Sequence, residues 1–142
     1  MMENKTMAKL SMDERQHLVN LLANATSGQL SFTAIDYDEE DAKKAVNELK
    51  TKLHFTDDMI CREDVWLQIL TDGNSLILTE TDEGGGNDHE LTLLKLLKGI
   101  DMYFKSDYGC KAKNFEELEE NGDFYDNEAI LQLAIFGDVI YG

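Results

Sequence analysis

Leu18, Leu21, Leu22 and Ala25 recur at the spacing of one helical face, with Ser11 and Glu14 ahead of them as a capping box and Ser27-Gly28 behind. This predicts a helix over Met12–Ala25. Residues 29–37 then alternate as a short strand does, with Leu30, Phe32 and Ala34 on one side and Ser31, Thr33 and Ile35 on the other. Asp38 follows as a cap before Glu39, Glu40 and Asp41, acids that the positive end of the helix dipole favours. Behind them Ala42, Ala45, Val46, Leu49 and Leu53 form an apolar stripe, predicting a second helix to about residue 53.

The pattern changes between residues 65 and 81. Val65, Leu67 and Ile69 alternate with Trp66, Gln68 and Leu70, Thr71-Asp72-Gly73-Asn74 interrupts, and Ser75-Leu76-Ile77-Leu78-Thr79-Glu80-Thr81 follows, which reads as a β-hairpin turning at Asp-Gly. A helix is the competing reading, because Met59, Ile60, Trp66, Leu67 and Leu70 share a helical face, and the β-branched Val65 and Ile69 favour the strand. The run Asp82-Glu83-Gly84-Gly85-Gly86-Asn87-Asp88 reads as a flexible linker. Asn87 with Glu90 forms a second capping box, and Leu93, Leu96, Leu97, Ile100 and Phe104 predict an amphipathic helix from Asp88 to about Lys105.

Residues 106–113 are a polar connector, and Asn114 with Glu117 opens a short acidic helix that Asn121-Gly122 ends. Residues 126–136 read as a helix capped by Asp126 with Ile130, Leu131 and Ala134 inward, or alternatively as a strand over 129–135, and residues 139–141 as an edge strand. The elements together predict an α+β fold, four or five helices packed on a small, mostly antiparallel sheet, as a single domain over residues 1–142. A chain of this length buries roughly 70% of its unfolded surface and needs neither disulfides nor metals as staples.

Charge changes this picture more than composition does. The chain carries 13 Lys+Arg against 29 Asp+Glu, a formal net charge of -16, which excludes a nucleic-acid-binding surface of the usual basic kind. Residues 1–71 hold 13 acids and 8 bases, residues 72–142 hold 16 acids and 5 bases, and residues 114–142 contain no Lys or Arg at all. In that last stretch Glu116, Glu117, Glu119, Glu120, Asp123, Asp126 and Glu128 interleave with Phe124 and Tyr125, acids beside the aromatic anchors that interface cores use. One reading of so many acids is a solvated face that keeps the protein in solution. The sharper one is a surface that docks on a basic partner, or that stands in for a line of phosphates in a nucleic-acid-binding groove.

Catalytic chemistry finds less support. Cys61 and Cys110 form no CxxC pair and read as two buried thiols in a reducing cytoplasm. Residues 36–47 fail as a calcium loop because Asp41 stands where glycine is needed and Asn47 where glutamate is. The three glycines fit neither GxxxxGKS nor GxGxxG, and the acids around them repel phosphate. A divalent cation site from Asp82, Asp88 and His89, with Glu90 beside it, is one candidate for a metal-assisted enzyme, against the simpler reading of Asp88 and Glu90 as first-turn acids. No run approaches the roughly 20 apolar residues of a membrane span, and residues 1–10 lack the apolar core of a signal peptide.

The expected function is therefore a non-enzymatic cytoplasmic binding protein whose acidic C-terminal third engages a basic protein surface, in the manner of an inhibitor or nucleic-acid mimic. It takes no cofactor and contacts neither nucleic acid nor membrane directly. The alternatives are a small metal-assisted enzyme at the Asp82 to Glu90 loop and a structural oligomer module.

Overall fold

A computed structural model describes residues 10–26, 33–80 and 87–139 of the chain. The elements in chain order are α1 (Met12–Ala25), β1 (Thr33–Asp36), α2 (Glu39–Thr51), a 3-10 turn (Asp57–Met59), α3 (Arg62–Thr71), β2 (Leu76–Glu80), β3 (Asp88–Leu91), α4 (Leu93–Phe104), α5 (Phe115–Asn121) and α6 (Phe124–Phe136). The fold is α+β, and the described residues form six α-helices on a three-stranded antiparallel sheet of order β1-β2-β3. The predicted strand over 29–37 is described only from Thr33, and the glycine run and the edge strand proposed at 139–141 lie largely or wholly outside the described residues.

The first two helices form where local signals place them. Ser11 and Glu14 exchange both bonds of the capping box, at 3.0 and 2.8 Å. Asp38 accepts from the backbone of Glu40 and Asp41. The hairpin expected at residues 65–81 is overturned in its first arm, where the competing helix is the right reading, while its second arm stands as β2. Trp66, Leu67, Ile69 and Leu70 are all buried, so α3 is covered on most sides and its apolar positions lose helical periodicity. The Asp-Gly pair is its C-terminal stop. Gly73 has φ +89, its N–H donates to Leu70, and the N–H of Asn74 donates to Ile69, the two bonds of a Schellman motif.

Two further boundaries move. Residues 88–91 pair with β2 instead of opening a helix, with Leu76 opposite Leu91 and Leu78 opposite His89. The cap of α4 is Thr92, which accepts from the N–H of Lys95, so the expected Asn87–Glu90 box does not form. Every apolar residue of the α4 stripe lies beyond Thr92, which is why the helix could start there without losing a core contact. Likewise α6 is capped by Asp123, and Asp126 is its third helical residue, returning a bond to the Asp123 N–H at 3.0 Å. The strand alternative over 129–135 is excluded by this helix.

The core lies between the inner face of the sheet, with Leu76, Leu78 and Leu91, and a helical layer in which α1 packs against both α3 and α6. Among the described helices, α4 and α6 make the most extensive contact. At Gly99 the backbones of Ile130 and Ala134 come so near that a Cβ would sit 2.8 Å from Ala134 N and Ile130 O.

Candidate functional site

The acidic segment begins at Asn114, whose side chain accepts from the Glu117 N–H at 2.9 Å. The reciprocal bond runs one residue earlier than the sequence pattern implies, from the Lys113 N–H to Glu117 Oε1 at 2.8 Å. Leu118 is buried and Phe115 half-buried, and they fix α5 to the body. His17 of α1 completes the anchor. Its imidazole stacks on Phe115 with ring centroids 4.9 Å apart and planes 4° from parallel, while Phe104 meets the same ring edge-on. Nδ1 of His17 lies 2.9 Å from Glu119 Oε2, which also accepts from Asn20 at 3.2 Å. No local signal in the sequence marks His17, because its partners are about a hundred positions away.

This docking leaves Glu116, Glu117, Glu119 and Glu120 exposed, although Glu117 and Glu119 each turn one oxygen back onto the fold, and no lysine or arginine side chain among the described residues forms an ion pair with the four. Asp123 is exposed and is committed to capping α6. The rings of Phe124 and Tyr125 lie 4.0 Å apart, and Tyr125 is 59% exposed.

Asp126 and Glu128, expected on the same surface, are buried. Asp126 Oδ1 accepts from the Tyr103 hydroxyl at 2.7 Å and the Cys110 N–H at 2.9 Å. Burial pushes the Asp126 carboxyl up, but the bonds from Tyr103, Asp123 and Cys110 outweigh it and hold the group below the usual aspartate range. The Tyr103 phenol is pushed up by burial and by donating to that carboxylate. The pair ties the 106–113 connector to α4 and α6, a structural role.

The strand geometry of β3 divides the residues considered for a metal. Asp88 and Glu90 project to one face, where they accept from Thr79 and Ser75. His89 projects to the other, with Nε2 2.7 Å from Glu80 Oε2 and Phe136 edge-on at 4.8 Å. Asp82 lies outside the described residues, and among those described no three His, Cys, Asp or Glu side chains gather to hold a metal.

Both cysteines are free, but neither is fully buried as expected: Cys61, at the start of α3, is exposed, and Cys110 is half-buried. The Cys61 thiol is pushed up to about 11 by burial and by donating to Asp64, the opposite of an activated nucleophile. An open cleft of about 250 Å³ is lined by Thr26, Ile35, Arg62 and Trp66. Its guanidinium lies over the indole and already bonds Thr26 and Glu63. No helix among the described residues is long and apolar enough to cross a membrane.

No protein-family model, curated protein or solved structure matches this chain.

Proposed function

We propose that the chain is a non-enzymatic binding protein that docks α5 and the start of α6 on a basic surface of another protein, as an inhibitor or nucleic-acid mimic does. The carrying observation is the exposure of Glu116, Glu117, Glu119 and Glu120 on a seven-residue helix, in a segment free of Lys and Arg. Carboxylates three and four positions apart on such a helix repel by a few tenths of a kcal/mol per pair. A basic partner converts that repulsion into attraction and speeds encounter. Tyr125 supplies a large exposed ring beside the acids, the kind of anchor that carries binding energy once desolvated. Asp126 and Glu128 take no part in the surface. Two free thiols suit the reducing cytoplasm in which we place it.

The test compares two charge-matched variants with the wild type in low-salt capture from a lysate of the source cells. One carries Glu116→Gln and Glu120→Gln, and the other Asp13→Asn and Glu39→Gln, exposed acids at the starts of α1 and α2. A basic protein retained by the wild type and the α1/α2 variant, lost by the α5 variant and released by salt, is the expected result. Equal capture by all three, or none by any, overturns the proposal.

A further inference from the structure

Four buried side-chain atoms among the described residues lack a hydrogen-bond partner: Arg15 Nη2, Glu48 Oε1, Gln68 Oε1 and Asp72 Oδ2. They lie on α1 (Arg15), on α2 (Glu48) and on α3 and its C-cap (Gln68, Asp72), and α3 packs against both of the other helices. Two of the residues are carboxylates that interact directly with each other. Glu48 Oε2 accepts from Lys52 Nζ at 3.0 Å, and Asp72 Oδ1 accepts from Gln68 Nε2 at 3.0 Å. The remaining oxygen of each has no donor, and the two side chains are within hydrogen-bonding reach of each other.

If both groups were ionised, two buried acceptors would stay unsatisfied and two like charges would face each other in a poorly solvated seam. One proton removes both difficulties, because it makes one carboxyl the donor and the other the acceptor. We propose that Glu48 and Asp72 share a single proton that latches α2 to α3, and that loss of this proton loosens the seam.

The surroundings place the proton on Asp72. Burial first, and Glu48 second, raise the Asp72 carboxyl to about 6, whereas the bond from Asp72 is the main cause that holds Glu48 low. Asp72 also ends α3, where the negative end of the helix dipole disfavours an ionised acid. The other charges facing the pair are few. From α1, Arg15 is desolvated and lies in the field of Asp64 and Asp72. No carboxylate among the described residues comes within ion-pair distance of its guanidinium. From α2, Lys44 and Lys52 act on the pair, and the Lys52 side chain is 71% exposed and well screened. From α3 the amide of Gln68 bonds Asp72, and Asp64 acts on Arg15.

The folded chain thus keeps a proton that an unfolded aspartate releases near its ordinary value of 3.8, so stability falls as pH rises between about 4 and 6. The experiment measures urea midpoints of the wild type, Asp72→Asn and Asp107→Asn at about pH 5 and about pH 8, together with a carboxyl 13C titration of the wild type. Asp107→Asn removes an equal charge from an exposed position and controls for net charge. The wild type and Asp107→Asn are expected to lose stability between the two pH values. Asp72→Asn, whose amide donates to Glu48 at any pH, is expected to lose clearly less. The Asp72 carboxyl is expected to bind its proton about a hundredfold more tightly than free aspartate, a shift of about two pH units. If Asp72→Asn does not fold, Glu48→Gln supplies the donor from the other side and is read in the same way. An Asp72→Asn slope equal to that of the wild type, or Glu48 and Asp72 both titrating in the ordinary carboxylate range, overturns the proposal.

Discussion

Asp126 shows how one side chain can be acidic in sequence and structural in space. It is 7% exposed, and its two oxygens accept from Tyr103, Cys110 and Asp123, so it joins α4, the connector and the start of α6. Tyr103→Phe removes the strongest of these donors while keeping the ring. Hydrogen bonds to charged groups contribute about 1.5–3 kcal/mol, so the variant should lose a comparable amount in urea unfolding at neutral pH. The pH dependence has a definite sign. A carboxyl held below its unfolded value stabilises the fold above the ordinary aspartate range, and that stability is lost as pH falls through the depressed folded value. Tyr103→Phe should therefore move the acid-unfolding midpoint to higher pH, followed by circular dichroism across an acid titration. Sequence could not separate Asp126 from the exposed Glu116. Both are carboxylates at a helix start, and the donors that pay for burial of Asp126 lie 16 and 23 positions away.

At the scale of elements, legibility followed locality. The limits of α1 and α2 were readable because their caps, first-turn acids and apolar stripes all lie within one stretch of chain. The reading failed at α3, where burial on most sides erases the amphipathic period, and at β3, where Asp88, His89 and Glu90 look like a polar first turn until β2 pairs with them. It failed again by three residues at α6, because Asp123 and Asp126 are equally good caps in isolation. The α4–α6 contact is not legible either, since Gly99 in a helix predicts only a cost. An exposed helical glycine replaced by alanine gains about 1 kcal/mol. Here the added Cβ would lie 2.8 Å from two backbone atoms of α6, which cannot rotate away as a side chain does. Gly99→Ala should therefore destabilise by about 1–3 kcal/mol, as overpacked cores do, and lower the thermal midpoint. A midpoint raised by the substitution would show that the two helices are not in this close contact.

For the molecule as a whole, charge and shape act on different parts of an encounter. The net charge of -16 sets a field that any basic partner feels before contact, and that field governs the association rate and is screened by salt. The orientation of α5 acts only after contact. That orientation depends on His17, which stacks on Phe115 and bonds Glu119 while contributing no carboxylate to the acidic face. His17→Ala leaves the number of acids unchanged and releases the helix that carries four of them. Differences among variants of one interface fall mostly on the dissociation rate. With the partner retained in the capture experiment immobilised, His17→Ala should keep an association rate within about twofold of the wild type and dissociate about tenfold faster. Glu116→Gln with Glu120→Gln should slow association as well, because it weakens the field itself. Hydrogen exchange of the α5 amides checks the premise independently, since they should exchange faster in His17→Ala than in the wild type. A variant with faster exchange and unchanged dissociation would mean that the partner reads the total charge and not the geometry of the helix.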